Sequence, residues 1–423
     1  MTNAGSGQPL SVWQRYRGLS LGIRILIWML LGALAGAIFG ERAQVVAPIG
    51  DLFIRLLVLA AVPLVFFNLL SGLTSLSDVR SVGRLGVRIM TFYFATMLIA
   101  LVLGLIAMQV LQPGVGMTLR QAATGPVGEM PRVIDVLMDL VPQNIFRAFV
   151  EAKVSQLVVF AVLLGIAALH LPLEKRQRLQ RMFDAISSLL RELVGIILKA
   201  GPLGIAALAA VTVGRYGSSL FGPLSLYIGG VWCAQALLAG VYLAILYAIT
   251  RIGPMDFLRR SGPLYATTTA TCSTLASIVV AMDIASKRFR VPESVYAFTM
   301  PLGAQVNKGG TSIFLTSVLL FTAQAAGVEF TLGQMATIVL VGLLLVEGSG
   351  GIPGGGLVIG FIFVKAFNLP LEIVAIIAGI YRLIDMGNTT INCMGDLVGT
   401  VVVAHFEPAE RESTGPNAKT SSS

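Results

Sequence analysis

The chain has 423 residues, 56% of them hydrophobic and only 12% charged, with a formal net charge of +9. A soluble protein carries roughly 25% charged residues, and a soluble fold of this length cannot hide so much apolar side chain behind so little polar surface. Disordered, collagen-like and disulfide-scaffold classes are excluded on the same grounds, which leaves an all-α polytopic membrane protein.

In chain order, the start from Met1 to Arg17 is polar and basic, and the first apolar stretch, Ile25 to Phe39, has Ala/Gly packing with no distinct cleavage site. No cleavable signal peptide is expected. Uncharged runs then lie between Arg55 and Asp78, Arg88 and Arg120, Lys153 and Glu174, Arg215 and Arg251, and Arg260 and Asp283. Each is about the twenty or more residues that a helix needs to cross the hydrocarbon core. The runs are helical or uniformly apolar rather than alternating, which argues against an outer-membrane barrel.

The basic residues cluster at alternate connections. Arg15, Arg17 and Arg24 precede the first span, and Arg80, Arg84 and Arg88 lie between the second and third. Lys175, Arg176, Arg178 and Arg181 follow the fourth, and Arg251, Arg259 and Arg260 follow the sixth. The connections between are poorer, with Arg42, then a spread of Arg120, Arg132 and Arg147, then Arg215. This is the positive-inside pattern, with a cytoplasmic N-terminus and six spans before Asp256. The positive charge is topological and predicts no nucleic-acid partner. Cys233, Cys272 and Cys393 are isolated and the chain holds only His170 and His405, so no metal or disulfide framework is expected.

Beyond Asp256 the apolar segments shorten and are interrupted at Thr267 to Thr274, Asn307 to Ser312 and Glu347 to Gly356. Non-helical backbone at membrane depth must be buried in protein or line a cavity, and broken apolar segments point to a transporter's binding site. The predicted organisation is a cytoplasmic segment (1–19), a six-helix half (20–251), a core transport region (256–405) and a polar tail (406–423). The cluster Ala266 to Ser277 reads as a hairpin tip whose hydroxyls satisfy exposed backbone, or as small-residue helix packing. The glycine-rich cluster around Pro353 reads as a second tip, with a plain surface turn as the alternative.

The last span is the richest in chemistry. Asp385, Asn388, Thr389, Asn392 and Asp396 fall on one helical face. Two acids and two carboxamides on one stripe of a membrane helix mark a ligand or ion path, the alternative being a polar packing stripe between helices. Arg382 is read as a structural or snorkelling partner.

Four segments together resemble the dicarboxylate/amino acid:cation symporters, the family of glutamate and neutral amino acid transporters. They are Gln112 to Gly114 (QPG), Pro301 to Thr311 (PLGAQVNKGGT), the GSGGIPGGG run of the second tip, and Asp385 to Asp396 (DMGNTTINCMGD). The resemblance covers nearly the whole chain. It implies eight transmembrane helices plus two re-entrant hairpins, in scaffold and elevator transport domains, assembled as a homotrimer in the bacterial inner membrane. Hairpin 1 would span 256–288, helix 7 294–322, hairpin 2 332–367 and helix 8 371–404, with the second hairpin as the extracellular gate. It implies a transporter and no enzyme.

Carried over position by position, the substrate would meet the first tip at Thr271, Cys272 and Ser273, and the second at Ser349, Gly350, Gly351, Pro353 and Gly354. It would also meet Thr311, Asp385, Asn388, Thr389 and Asn392. Tyr93, Thr96, Asn307 and Lys308 join Gly303, Asn392 and Asp396 as the ion-coupling set, and a sodium ion would sit at Gly303, Asn307, Asn392 and Asp396.

The departures from the family are specific. Its Asn-Met-Asp-Gly-Thr motif reads Asn307-Lys308-Gly309-Gly310-Thr311 here. A sodium-binding aspartate is therefore Gly309, and Met97 replaces a hydroxyl of the same ion site. Tyr381 stands where many relatives carry an aspartate. Losing a carboxylate and gaining an amine changes the local charge by two, which disfavours a bound cation. The Lys308 ammonium is expected to take the space of a missing sodium, paired with Asp396 or Asp385, with a proton as possible coupling ion because buried lysines shift their pKa. A fixed structural salt bridge is the plainer alternative.

Asn388 stands where acidic-substrate relatives place an arginine, so a small neutral or polar amino acid is the expected substrate. The alternative is a C4-dicarboxylate or acidic amino acid with Lys308 supplying the positive charge. Two other classes are weighed: an intramembrane hydrolase pairing Lys308 with Ser273 or Thr311, and a passive anion channel, which carboxylates on the path oppose.

Overall fold

The computed structural model describes residues 16, 18–19, 21–75, 83–117, 138, 141–151, 154–217, 221–349, 351 and 354–407. The first fifteen residues, the connections carrying Arg80, Arg120 and Arg132, and the tail beyond 407 lie outside the described residues. Among the described residues every regular element is helical. The first half comprises α1 (Leu21–Phe39), α2 (Ala47–Ser75), α3 (Gly83–Leu111), α4 (Ile145–Val150), α5 (Val154–Leu169), α6 (Leu173–Lys199), α7 (Gly201–Tyr216) and α8 (Phe221–Thr250). The second half comprises α9 (Pro254–Thr271), α10 (Thr274–Phe289), α11 (Glu293–Val306), α12 (Gly309–Ala325), α13 (Leu332–Leu345), α14 (Gly355–Ala366) and α15 (Glu372–Ala404).

α3, α8 and the run Ile23–Phe53 are long and apolar enough to cross a membrane, and α6 with α7 forms a further pair bent by 55°. In the second half, polar or glycine-rich residues separate α9 from α10, α11 from α12 and α13 from α14, whereas α15 runs unbroken for 33 residues. α9 stops where Cys272 turns left-handed at φ 50° with its N–H on the Thr268 carbonyl, and Ser273 caps α10 by accepting from Ala276 N at 3.2 Å. α9 and α10 then pack on each other. The hydroxyls of this segment largely bond carbonyls one turn back, as Thr267 does to Pro263 (2.9 Å) and Thr271 to Thr267 (2.8 Å). That spares carbonyl lone pairs from apolar surroundings.

The core centres on α12, where each residue from Gly309 to Ala323 is buried. It packs against α3, α15, α14 and α8. The QPG segment serves this packing: Gly114 N donates to Gln324 Oε1 at 3.2 Å while Gln324 Nε2 donates to the Met108 carbonyl at 2.8 Å. One α12 carboxamide thus closes both the end of α3 and the turn that follows it.

α1 and α7 pack as a small-residue pair. A Cβ on Gly36 would lie 2.3 Å from the Ala210 carbonyl oxygen and 2.9 Å from Gly214 N. Such contact between backbones substitutes for hydrophobic association in lipid. Gly36→Ala should therefore destabilise the detergent-solubilised protein by about 1–3 kcal/mol, read as a lowered thermal midpoint. Gly240→Ala, where nothing lies within 4 Å of the new Cβ, should stay within about 0.5 kcal/mol. Equal midpoints for the two variants would rule out this contact.

Candidate functional site

The site is built on the break between α11 and α12. Asn307 is extended and Lys308 non-helical (φ −132°, ψ 45°), so two helix ends face each other inside the protein. Helix ends leave backbone groups without intrahelical partners, and here α15 supplies them. Asn392 Oδ1 accepts from Gly310 N (2.8 Å) and Thr311 N (3.4 Å), and Asn392 Nδ2 donates to Thr311 Oγ1 (3.2 Å). Asn307 Nδ2 donates to the Asn392 carbonyl (3.2 Å) and to Asp396 Oδ1 (2.9 Å).

The predicted sodium set of Gly303, Asn307, Asn392 and Asp396 is therefore one cluster. A Cβ on Gly303 would lie 2.5 Å from both Asp396 Oδ1 and the Tyr93 hydroxyl. Tyr93 donates to the Thr299 carbonyl at 3.1 Å, while Thr96 returns its hydroxyl to the Phe92 and Tyr93 carbonyls (2.8 and 3.1 Å). Met97 turns its sulfur to Lys308 N at 3.4 Å.

Lys308 is wholly buried. Its ammonium donates to the Ala304 carbonyl, one turn back in α11. Its Nζ atom also lies 3.5 Å from where a Cβ on Gly351 would stand, in the second tip. The amine thus lies on a backbone carbonyl and close to Gly351. Gly309 has a physical reason as well. The hydroxyl of Tyr242, from α8, would lie 2.4 Å from any Cβ there. Tyr242 is buried beside Thr96 and Asn307, so its ring end fills the space into which a side chain at 309 would project.

The α15 stripe is buried along its length, with Asp385, Asn388, Thr389, Asn392 and Asp396 at 1–6% exposure. Asp385 Oδ2 accepts from Gly354 N (3.0 Å) at the start of α14, and Oδ1 accepts from the Tyr381 hydroxyl (3.1 Å). Asn388 Nδ2 donates to that hydroxyl (3.3 Å), and Gln235 Nε2 of α8 donates to Asn388 Oδ1 (2.9 Å). The two tips touch: Ser273 Oγ donates to the Gly351 carbonyl (3.2 Å), as does Leu275 N (3.4 Å). Cys272 and Ser349 are buried near the tips, Thr271 is half-buried, and Gly350 and Pro353 lie outside the described residues. Arg382, read as a structural or snorkelling partner, donates to the Ala270 carbonyl at 2.7 Å near the end of α9.

Tyr242, Gln235 and the Ala304 carbonyl escape the sequence reading. A signal existed for Gln235, the one carboxamide in the 30-residue apolar helix α8; for Tyr242 and Ala304 none did. Ser273 directs its hydroxyl hydrogen to the Gly351 carbonyl, and the Thr311 hydroxyl accepts from Asn392.

Residues 21–406 match the model of the sodium:dicarboxylate symporter family. The chain is 30% identical to the proton/glutamate-aspartate symporter of Bacillus subtilis (strain 168), across 95% of this chain and 99% of that one. It is 26% identical to the C4-dicarboxylate transport protein of the same organism, over 92% and 94% of the two chains. It is 28% identical to the proton/sodium-glutamate symport protein of Bacillus caldotenax, over 94% and 97%. Matching from the first described helix to the end of the last, the chain belongs to the sodium:dicarboxylate symporter family and is a secondary transporter.

Proposed function

We propose that this transporter moves a C4-dicarboxylate or an acidic amino acid together with a coupling cation, and that the Lys308 ammonium replaces one cation that relatives would bind. The observation that carries this reading is the position of Lys308. A wholly buried amine lies at the break between α11 and α12, on the Ala304 carbonyl and against the second tip. Two like charges 4 Å apart repel by about 4 kcal/mol at an effective dielectric of about 20, roughly a thousandfold in occupancy. A cation is thereby disfavoured beside Lys308, and an anionic substrate is favoured.

The names of the relatives support the substrate class, since they specify glutamate, aspartate and C4-dicarboxylates. They move the reading away from the neutral amino acid that Asn388 alone suggests, because Lys308 restores a positive charge that Asn388 does not provide. A neutral or polar amino acid stays as the second reading, favoured by Asp385, a buried carboxylate suited to a substrate amino group. The coupling ion in our reading is a proton, or fewer sodium ions than in relatives, with the Gly303, Asn307, Asn392 and Asp396 cluster as the remaining cation site.

In the cycle we infer, substrate lies between the α15 stripe, Thr311 and the two tips, where the α12 N-terminus favours a carboxylate. Opening the second hairpin would break the Asp385–Gly354 and Ser273–Gly351 bonds. Eight spans, re-entrant hairpins, an elevator movement of 256–405 against a trimeric scaffold, and a cytoplasmic N-terminus complete this reading.

Proteoliposome uptake tests it in two ways. Labelled aspartate or succinate should accumulate under an inward pH gradient in sodium-free buffer, and Lys308→Met should lower that sodium-free uptake at least tenfold. Strict sodium dependence, unchanged by Lys308→Met, would overturn the tethered cation. In competition assays, succinate, malate and aspartate should block uptake more strongly than serine or alanine. The opposite order would install the neutral amino acid reading.

A further inference from the structure

α8 is apolar along nearly its whole length, yet it buries the carboxamide of Gln235 against α15. Gln235 Nε2 donates to Asn388 Oδ1 at 2.9 Å. With its carbonyl so occupied, Asn388 turns Nδ2 to the Tyr381 hydroxyl (3.3 Å), which donates to Asp385 Oδ1 (3.1 Å), whose other oxygen receives Gly354 N (3.0 Å). Every bond from Gln235 to Asp385 runs in one direction. Rotating the Asn388 amide would set its NH2 against the Gln235 NH2, leaving two buried donors facing each other. Gly387 completes the arrangement. A Cβ there would lie 2.1 Å from Gln235 Oε1, so the carboxamide rests on a glycine that leaves it room.

We propose that Gln235 is a positioning residue for substrate recognition. By holding the Asn388 carbonyl, it fixes the Asn388 N–H groups and the Tyr381 hydroxyl as donors, and so fixes which side of the Asp385 carboxylate stays open to substrate. Gln235 touches no substrate itself. This rests on the reading that the α15 stripe binds the substrate.

The test is concentration-dependent uptake of labelled aspartate in proteoliposomes, with thermal unfolding measured in parallel. Gln235→Met keeps the volume and removes the donor. It should raise KM about tenfold, the effect of one hydrogen bond, with the maximal rate within about twofold, while the thermal midpoint falls because the buried Asn388 carbonyl loses its donor. Gly387→Ala, which displaces the Gln235 carboxamide from the neighbouring helix, should give the same KM rise. In an Asn388→Ala background, Gln235→Met should have no further effect on KM. A lowered maximal rate with unchanged KM would overturn the proposal, as would additive effects of Gln235→Met and Asn388→Ala. If Asn388→Ala raises KM and Gln235→Met does not, Gln235 positions nothing. If Asn388→Ala also leaves KM unchanged, the error lies in the stripe as the substrate site.

Discussion

A helix interrupted in the middle of an apolar core sets the terms for the rest of this molecule. Between Val306 and Gly309 the backbone leaves helical geometry inside the buried core, where unpaired polar groups cost several kcal/mol each. Side chains from elsewhere pair with it. α15 brings Asn392 to the first amides of α12 and Asp396 to Asn307. The polar stripe of α15 is therefore structural, and the groups that satisfy the broken helix are the same ones that the proposed site uses.

That constraint explains why the amine can be buried at position 308. Lys308 begins α12, and its side chain reaches back to the Ala304 carbonyl of α11 and towards the second tip. An exposed carbonyl end of a helix is a suitable partner for a cation. On the other side of the backbone, Tyr242 and Met97 fill the surroundings of Gly309 and Lys308 N with a hydroxyl and a sulfur. Neither carries a negative charge, and sulfur is a poor ligand for a hard cation. Met97, Lys308 and Gly309, the three positions at which the resemblance implies a departure from the family motif, thus share one set of contacts.

A second polar chain, running from Gln235 through Asn388 and Tyr381 to Asp385 and Gly354, ties α8 to the second tip. Together with the Ser273–Gly351 contact, it means that the tip is held by the same residues that would meet a ligand. In the proposed cycle, substrate binding and tip movement would draw on one set of hydrogen bonds.

The membrane class followed from charge scarcity alone, because no soluble fold can present so few polar groups to water. The interruptions around Thr267 to Thr274 and Asn307 to Ser312 were equally legible, since hydroxyl and glycine clusters announce non-helical backbone in an apolar chain. The α15 stripe was legible because helical periodicity puts Asp385, Asn388, Thr389, Asn392 and Asp396 on one face regardless of tertiary packing. Periodicity carries no information about partners on distant helices. Gln235 and Tyr242 lie more than sixty positions before the groups they approach, and only the packing of α8 against α12 and α15 brings them there. The sequence likewise supplied a lysine and two acids, but not the Ala304 carbonyl, which the break itself leaves within reach of the side chain that follows it.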